Sequence, residues 1–259
     1  MTRVPSHAEM TLKSPSELSV MREAGRVVAE CHALMREMAR VGVRTRDIDR
    51  EVESLIRARG GEPAFLGYHG FPASICASVN EEVVHGIPNR RRLRDGDILS
   101  VDVGVALSGY YGDAADTIPV GAVDADGQRL IGVSWEALRK AIESMRPEGK
   151  LSDVAVAIQT HAESNGYSVV RKFVGHGIGR SMHEAPQVPN YVSDGLLAND
   201  VTLKAGLVLA IEPMLNVGAC EVKVKKNKWT VVTRDGKRSA HVEHTVAVTE
   251  TGAEILTLP

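Results

Sequence analysis

Apolar residues recur at helical spacing through the first 60 residues. From Leu18 to Met38 they fall three or four positions apart, as on one face of an α-helix. The segment Ser14-Pro-Ser-Glu17 precedes this stripe and has the pattern of a capping box with proline at the first helical position. It predicts a long helix from Ser14 to about Arg40. A second stripe predicts a helix that is capped by Thr45 and ended by Gly60-Gly61; its apolar face consists of Ile48, Val52, Leu55 and Ile56.

β-type patterns follow these two helices. Short apolar, β-branched runs predict strands at residues 74–79 and 83–85. A longer pair, residues 97–107 and 110–120, is joined through Ser108-Gly109 and predicts a hairpin. This hairpin would place Asp102 and Asp113 on facing strands.

The same order of elements repeats from Asp124 onward. Helices are predicted at 124–145 and 152–165, followed by strands at 168–174, 207–213, 220–234 and 241–248. Two helices followed by a curved antiparallel sheet therefore occur twice. This order predicts a mixed α/β (α+β) fold of two similar halves, with helices covering the sheets and a functional site at the junction.

Composition and charge narrow the class of protein. The chain of 259 residues is 43% hydrophobic and has a formal net charge of −2, so it has no global attraction to nucleic acid or to an anionic membrane. Its three cysteines form no metal-binding or disulfide pattern. No secretion signal or membrane span is evident, which predicts a cytoplasmic protein. Residues 14–259 are assigned to a single catalytic domain, and residues 1–13, which have few apolar side chains, to a loosely held segment.

Carboxylates interrupt four apolar stretches, at Asp102, Asp113, Glu212 and Glu243. A buried carboxylate must be neutralised by a proton, a basic partner or a metal. No Lys or Arg lies within several residues of the first three, so a cation from solution is the simplest partner. Taken singly, each acid is more typical of a turn or an edge strand that faces water. Taken together, the acids predict a metal site.

A histidine completes the predicted ligand set. With His176, the four carboxylates suit Mn, Co, Fe or Zn better than a metal that prefers thiolates. Four carboxylates and a hydroxide are nearly neutralised by two divalent ions, whereas one ion would leave the site strongly anionic. A pair of ions predicts hydrolysis of an amide or ester.

The densest local motif is Gly175-His-Gly-Ile-Gly-Arg-Ser-Met-His-Glu184. Its glycines allow the backbone near His176 to approach a ligand closely. The spacing does not fit a dinucleotide-binding loop, a nucleophile elbow or a helical zinc-binding motif. His183 is interpreted as a hydrogen-bond donor to a developing oxyanion. His85, taken alone, is more typical of a structural histidine.

With these residues in view, the chain closely resembles type I methionine aminopeptidases, in their short bacterial form, from about Ser16 to Leu258. The motifs that carry the resemblance are Gly67-Tyr-His-Gly-Phe-Pro72, Ser78-Val-Asn-Glu-Glu-Val-Val-His85, Asp97-Ile-Leu-Ser-Val-Asp102, Gly175-His-Gly-Ile-Gly-Arg180, His183-Glu-Ala-Pro-Gln-Val188, Ile211-Glu-Pro-Met214 and Glu243-His-Thr245. The resemblance implies the pita-bread fold, with two pseudo-symmetric halves. It also implies removal of the initiator methionine from new polypeptides when the next residue is small.

The resemblance assigns a role to each matching position. Asp113 and Glu243 would bridge the two metal ions, Asp102 would bind one ion, and His176 and Glu212 would bind the other. Glu212 would also shuttle a proton, while His183 steadies the oxyanion and His85 contacts the scissile amide. The positions that would wall the methionine side chain are Tyr68, Phe71, Cys76, Met182 and Trp229. Met182 departs from the Phe that relatives often carry there, so the pocket would be reshaped but apolar.

The resemblance also implies partners. The substrate would be the amino termini of nascent polypeptides, bound by a monomer that recognises neither a specific nucleic-acid sequence nor a membrane. Two basic runs, residues 90–94 and 223–228, are typical of solvated loops, but either could make a transient ribosome contact.

Two alternatives stay open at this point. A proline-specific peptidase of the same superfamily would share the metal ligands, although such proteins usually carry an additional amino-terminal domain. A non-catalytic binding protein on the same fold would be expected to have lost metal ligands, and all five are present here.

Overall fold

The computed structural model describes residues 10–259. Its helices are α1 (Pro15–Met38), α2 (Thr45–Ala58), α3 (Ala125–Ser144), α4 (Leu151–Ser164) and α5 (Asp194–Ala198). Its strands are β1 (Glu62–Pro63), β2 (Cys76–Val79), β3 (Glu82–Val84), β4 (Ile98–Leu107), β5 (Tyr110–Pro119), β6 (Ser168–Val169), β7 (Gly175–Gly177), β8 (Glu184–Val188), β9 (Val208–Ile211), β10 (Met214–Asn216), β11 (Val222–Val224), β12 (Val231–Thr233), β13 (Ser239–His241), β14 (His244–Val248) and β15 (Ala253–Ile255). The pairings between these strands are all antiparallel.

The segment expected to be loosely held falls partly outside this range. Residues 1–9 lie outside the described residues. At its other end, Lys13 is buried, and its ammonium group lies 2.6 Å from the Glu184 carboxylate. The backbone N–H of Lys13 also donates to the Gly206 carbonyl at 2.7 Å.

The two amino-terminal helices follow the predicted pattern with one correction. The predicted capping box is present, because the Glu17 N–H donates to Ser14 Oγ and the Ser14 N–H donates to the Glu17 carboxylate. The predicted cap at Thr45 is wrong, since Arg44 precedes the first turn of α2. The Thr45 hydroxyl instead accepts from the Asn89 N–H at 2.9 Å.

The predicted hairpin forms as a two-residue turn. Leu107 pairs with Tyr110, and both turn residues, Ser108 and Gly109, have positive φ, as a tight hairpin of this hand requires. Strand β4 then pairs with β5 along its whole length. Its other edge pairs with β2 and, nearer the turn, with β1.

The second half has the predicted pair of helices, but its strands are shorter and more numerous than predicted. The strand predicted at 220–234 divides into β11 and β12, which belong to a three-stranded sheet with β3. The strand predicted at 241–248 is interrupted at residues 242–243, and β7, β8 and β10 were not predicted. The five-stranded sheet of this half has the order β15-β14-β9-β7-β8.

Each half has its own hydrophobic core. One core lies where α1 and α2 cover β4 and β5, and includes Val28, Met35 and Val101. The other lies beneath α3 and α4, and includes Leu138 and Ile158. The expected architecture of two helix-covered halves is confirmed.

The halves meet along β5 and β14. The Glu243 N–H donates to the Ala115 carbonyl at 2.9 Å, across the junction. The Thr245 hydroxyl accepts from the Asp113 N–H at 3.0 Å and donates to the Asp113 carbonyl at 2.7 Å. These bonds place the backbones of Asp113 and Glu243 side by side. Among the helices of the described part, none is long and apolar enough to cross a membrane.

Candidate metal centre

The first two acids come from neighbouring strands of the hairpin. Asp102 pairs with Ala115, and Asp113 pairs with Gly104, so the two carboxylates are diagonal neighbours on one face of the sheet. Asp113 is buried and Asp102 is half-buried, and loss of water around both carboxyls raises their pKa values. Burial raises the pKa of Asp102 to about 7, and burial together with the charge of Asp102 raises the pKa of Asp113 well above its usual value.

The other two acids come from the second half. Glu212 follows directly after β9, and Glu243 follows β13 at the junction of the halves. Burial raises the pKa of Glu212 to about 8. It raises the pKa of Glu243 well above its usual value, and the neighbouring charge of Asp113 adds to this effect. The Glu212 side chain is 14% exposed, compared with 2% for Glu243, so Glu212 is the more accessible to solvent.

His176 joins the acids from β7. Ligand atoms of Asp113, His176 and Glu243 lie within 4.8 Å of one another. The His176 Nε2 atom also lies 3.8 Å from a Glu212 carboxylate oxygen. The Nδ1 atom lies 2.9 Å from the Gly177 carbonyl, which requires Nδ1 to donate and leaves the Nε2 lone pair directed at the acids. Burial lowers the pKa of His176 to about 3, which favours this neutral form.

Several buried oxygens in this cluster have no hydrogen-bond partner. They are Asp102 Oδ1, Asp113 Oδ1 and Glu243 Oε1. In the described part of the chain, the basic groups within 4.0 Å of the four acids are imidazoles, with no Lys or Arg among them. Oxygens that are buried without donors are suited to a cation. Three of the five predicted ligands, Asp113, His176 and Glu243, therefore fit a divalent metal site, while Asp102 and Glu212 lie beside this group but not within it.

One residue of this cluster was not predicted. His241 is 2% exposed, and its Nε2 atom lies 3.6 Å from a Glu212 oxygen and 3.9 Å from a Glu243 oxygen. This Nε2 atom also has no hydrogen-bond partner. The available signal was its position two residues before Glu243 in an extended stretch, where both side chains point to the same face.

An apolar cluster borders the metal centre. All five predicted wall residues belong to it or pack against it: Tyr68, Phe71, Cys76, Met182 and Trp229. The rings of Phe71 and Trp229 meet edge to face at 5.1 Å between centroids. Cys76 on β2 pairs directly with Asp102 on β4, so the apolar cluster lies next to the acids. A side chain at Gly104 would clash, because a Cβ there would lie 2.8 Å from Phe65 and 3.1 Å from Met182.

Two further predicted histidines, His183 and His85, come from different elements. The His183 Nδ1 atom lies 2.8 Å from the Tyr68 hydroxyl, and its ring packs 4.1 Å from the ring of His176. His183 is an exposed residue, yet the groups packed around its ring remove enough water to lower its pKa. His85 directly follows β3 in the left-handed region, with φ of 58°, and its ring meets Phe173 edge to face. Such a strained backbone at a non-glycine residue is common at functional sites.

Comparison with known proteins agrees with this geometry. The profile of metallopeptidase family M24 matches residues 19–250. The chain is 50% identical over 245 residues to methionine aminopeptidase 1 of Bacillus subtilis, covering 95% of this chain and 98% of that protein. The crystal structure of methionine aminopeptidase from Thermotoga maritima superimposes with a TM-score of 0.94 at 45% identity, covering 97% of this chain and all of the other.

A more distant likeness shows how widely the fold is shared. Prolidase from Pyrococcus furiosus has a TM-score of 0.77 at 22% identity, and the match covers 96% of this chain but 65% of the prolidase. The pita-bread architecture is thus confirmed. The high identity over nearly full length lies with the aminopeptidases and not with the prolidases. The chain belongs to metallopeptidase family M24, in its methionine aminopeptidase branch.

Proposed function

We propose that this metallopeptidase removes the initiator methionine from polypeptides whose second residue is small. The observation that carries the proposal is the meeting of Asp113, His176 and Glu243 within 4.8 Å, beside an apolar cluster that contains the predicted wall residues or packs against them. The metal ligands would supply a hydrolytic centre, and the apolar cluster would supply surroundings suited to an unbranched thioether side chain.

Two divalent ions, of Mn, Co, Fe or Zn, would be held by Asp102, Asp113, His176, Glu212 and Glu243. When bound, such a pair activates water and polarises the scissile carbonyl. Glu212 is the acid best placed to accept the proton of that water and pass it to the leaving amine, because its side chain reaches solvent while the bridging acids do not.

The accessory histidines would position the substrate. If the Tyr68 hydroxyl donates to His183 Nδ1, the His183 Nε2 atom carries the proton and can donate to the oxyanion. His85 would contact the scissile amide from the end of β3. The free amino group of the substrate would lie near Asp102, which limits hydrolysis to the first residue of the peptide.

A peptide assay tests this proposal. Metal-free protein, prepared with EDTA and reloaded with one metal at a time, is given a Met-Gly-Xaa peptide or a matched Xaa-Pro peptide, and products are measured by mass spectrometry. We expect release of methionine from the first peptide, which depends on Mn²⁺ or Co²⁺. Faster cleavage of the proline peptide would favour a prolidase, and no hydrolysis with any metal would favour a binding protein.

The setting of this activity is also part of the proposal. Residues 14–259 would act as one catalytic domain, as a monomer in the cytoplasm, on the amino termini of nascent chains. The hydrogen bonds that join Asp113 to Thr245 and Ala115 to Glu243 support a single unit. A transient ribosome contact through a basic surface would bring the enzyme to its substrate.

A further inference from the structure

The segment before α1 is fixed to the loop that carries His183. This loop, residues 178–183, connects β7 to β8. Residues 11–13, which we call the strap, lie beside it. The Lys13 ammonium group of the strap is 2.6 Å from a Glu184 carboxylate oxygen, and Glu184 directly follows His183 in the chain.

The Glu184 carboxylate joins the strap to the loop through both of its oxygens. One oxygen accepts from the Lys13 ammonium group at 2.6 Å and from the Thr11 hydroxyl at 2.7 Å. The other oxygen accepts from the Ser181 N–H at 3.1 Å. Because Ser181 lies two residues before His183 and Glu184 one residue after it, these bonds fix the backbone on both sides of that histidine.

The Lys13 side chain is the more deeply buried partner of the ion pair. It is 4% exposed, compared with 13% for the Glu184 side chain. Its ammonium group also donates to the hydroxyl and the carbonyl of Thr11, at 2.7 Å and 3.1 Å, so its three hydrogens all have acceptors. Hydrogen bonds between charged partners are short and strong, and burial protects them from screening by salt.

The strap also packs against the backbone of the loop. A Cβ at Gly179 would lie 2.3 Å from Lys13 Cε and 2.7 Å from Lys13 Nζ, so a side chain at this position would displace the lysine. The Gly179 carbonyl accepts from the Tyr111 N–H of β5 at 2.9 Å. The loop therefore has fixed contacts with both the strap and β5.

The side chains of the loop differ in how much support they receive from their own neighbours. Met182 is 2% exposed and is held within the apolar cluster. His183 is an exposed residue, and its ring contacts the Tyr68 hydroxyl and the ring of His176. The direction of its Nε2 atom therefore depends on the backbone that carries it. Groups that act in catalysis must be held close to their productive geometry by such supporting contacts.

We propose that Lys13 and Glu184 are positioning residues, which hold His183 where it can donate to the oxyanion. Neither side chain needs to touch the substrate. The inference rests on the proposed function, since it concerns the histidine that would steady the oxyanion. It makes part of the segment before the first helix necessary for full turnover.

Peptide kinetics test the inference with a matched pair of variants. Lys13→Met removes the cation of the buried pair, whereas the control Arg22→Met removes the cation of an ion pair between α1 and Glu254 of β15, also with an N–O distance of 2.6 Å. For Lys13→Met we expect kcat to fall by about tenfold or more and KM to change by less than about threefold, because a displaced catalytic group costs rate more than binding. For Arg22→Met we expect a change of less than about twofold in either constant.

A double-mutant cycle separates positioning from a general loss of structure. In the His183→Ala background there is no histidine to misplace, so we expect Lys13→Met to lower kcat by less than about twofold further. Equal losses in the two backgrounds would contradict the inference. If Lys13→Met folds poorly, the isosteric change Glu184→Gln takes its place, and its loss of kcat should likewise disappear without His183.

Nuclear magnetic resonance tests the positioning without any peptide. In the Zn²⁺-loaded protein, the ¹⁵N shifts of the His183 ring show which nitrogen carries the proton. For the wild type and Arg22→Met we expect a single tautomer with the proton on Nε2, because the Tyr68 hydroxyl lies 2.8 Å from Nδ1 and donates to it. For Lys13→Met, or for Glu184→Gln, we expect shifts that average the two tautomers.

The two measurements distinguish failure of this inference from failure of the proposed function. Unchanged His183 shifts in a folded Lys13→Met protein would overturn the inference, even if the wild type releases methionine as expected. Changed shifts in a protein that hydrolyses no peptide would support the positioning of His183 while removing the proposed peptidase activity.

Discussion

At the scale of the residue, surroundings decide what each carboxylate can do. Glu243 and Glu212 have the same side chain, yet Glu243 is sealed at the junction of the halves while Glu212 reaches solvent. A buried carboxylate with no hydrogen-bond donor beside it is suited to bind a cation. An accessible acid can also exchange a proton, which gives Glu212 a second use.

The first prediction concerns Asp102 and Glu212. Asp102→Asn and Glu212→Gln keep the shape of each side chain but remove a charge needed for metal chemistry. We expect each to lower kcat by about 100-fold or more while the melting temperature falls little. Steady-state kinetics, metal content and thermal unfolding check the three parts of this expectation.

A surface acid provides the control for this prediction. Asp126→Asn removes the same charge from an exposed position in the first turn of α3 and should leave turnover unchanged. Full activity in Asp102→Asn would show that this carboxylate is not a metal ligand.

At the scale of the element, helix packing depends on where glycine is needed. Gly25 lies on the buried face of α1, and a Cβ there would lie 1.9 Å from the Leu256 carbonyl oxygen. Gly132 lies on the exposed face of α3, and a Cβ there would have no neighbour within 4 Å. Helix packing therefore requires glycine at position 25, whereas nothing in the packing requires it at position 132.

The second prediction uses this pair. Gly25→Ala should destabilise the protein by about 1–3 kcal/mol, because backbone must move to admit the methyl group. Gly132→Ala should stabilise it by about 0.5–1 kcal/mol, because alanine favours the helix and nothing obstructs it. Chemical denaturation of both variants measures the two free energies of unfolding. Equal effects in the two helices would contradict the close packing of α1 on residues 256–257.

At the scale of the whole molecule, the junction gathers like charges that only the folded chain holds together. Burial raises the pKa of Asp102 to about 7 and of Glu212 to about 8, whereas ordinary carboxyls titrate near 4. The folded, metal-free protein therefore keeps protons that the unfolded chain has released. The contribution of these two carboxyls to the free energy of unfolding is therefore fully present below about pH 4. It is lost as the pH rises through 7 and 8.

Buried histidines act in the opposite direction over a lower pH range. Burial lowers the pKa values of His85 and His176 to about 4 and about 3, so the unfolded chain gains protons first as pH falls below about 6.5. This opposing contribution fades within about one pH unit above 6.5, so the raised carboxyl pKa values set the trend toward pH 8.

The third prediction follows from this balance. Between pH 6.5 and pH 8.5 we expect the melting temperature of the EDTA-treated protein to fall. Added Mn²⁺ should raise the melting temperature more at pH 8 than at pH 6.5, since metal replaces the protons. Thermal unfolding across this range, with and without metal, checks both trends. A melting temperature that rises with pH in EDTA would contradict the crowding of acids at the junction.

The amino-acid sequence by itself was enough to predict the four long helices, the long hairpin and the three candidate ligands that meet at the junction, Asp113, His176 and Glu243. Capping residues, tight-turn residues and apolar spacing act between near neighbours, so α1 and the β4–β5 hairpin could be predicted from a short window. The acids could be found because a carboxylate in an apolar strand is costly wherever that strand packs. The motifs at residues 67–72, 78–85 and 175–184 added, through the family resemblance, expected roles for His85 and His183 and for the apolar wall.

The tertiary structure alone decided which distant groups meet. The position of His241 beside Glu212, and of Arg44 beside Arg92, depends on pairing between strands that are far apart in sequence. The short strands β7, β8 and β10 likewise form only because partners complete their hydrogen bonds, and their own residues carry little β-type pattern. Contacts of this kind depend on how the whole chain closes on itself, and no local pattern records them.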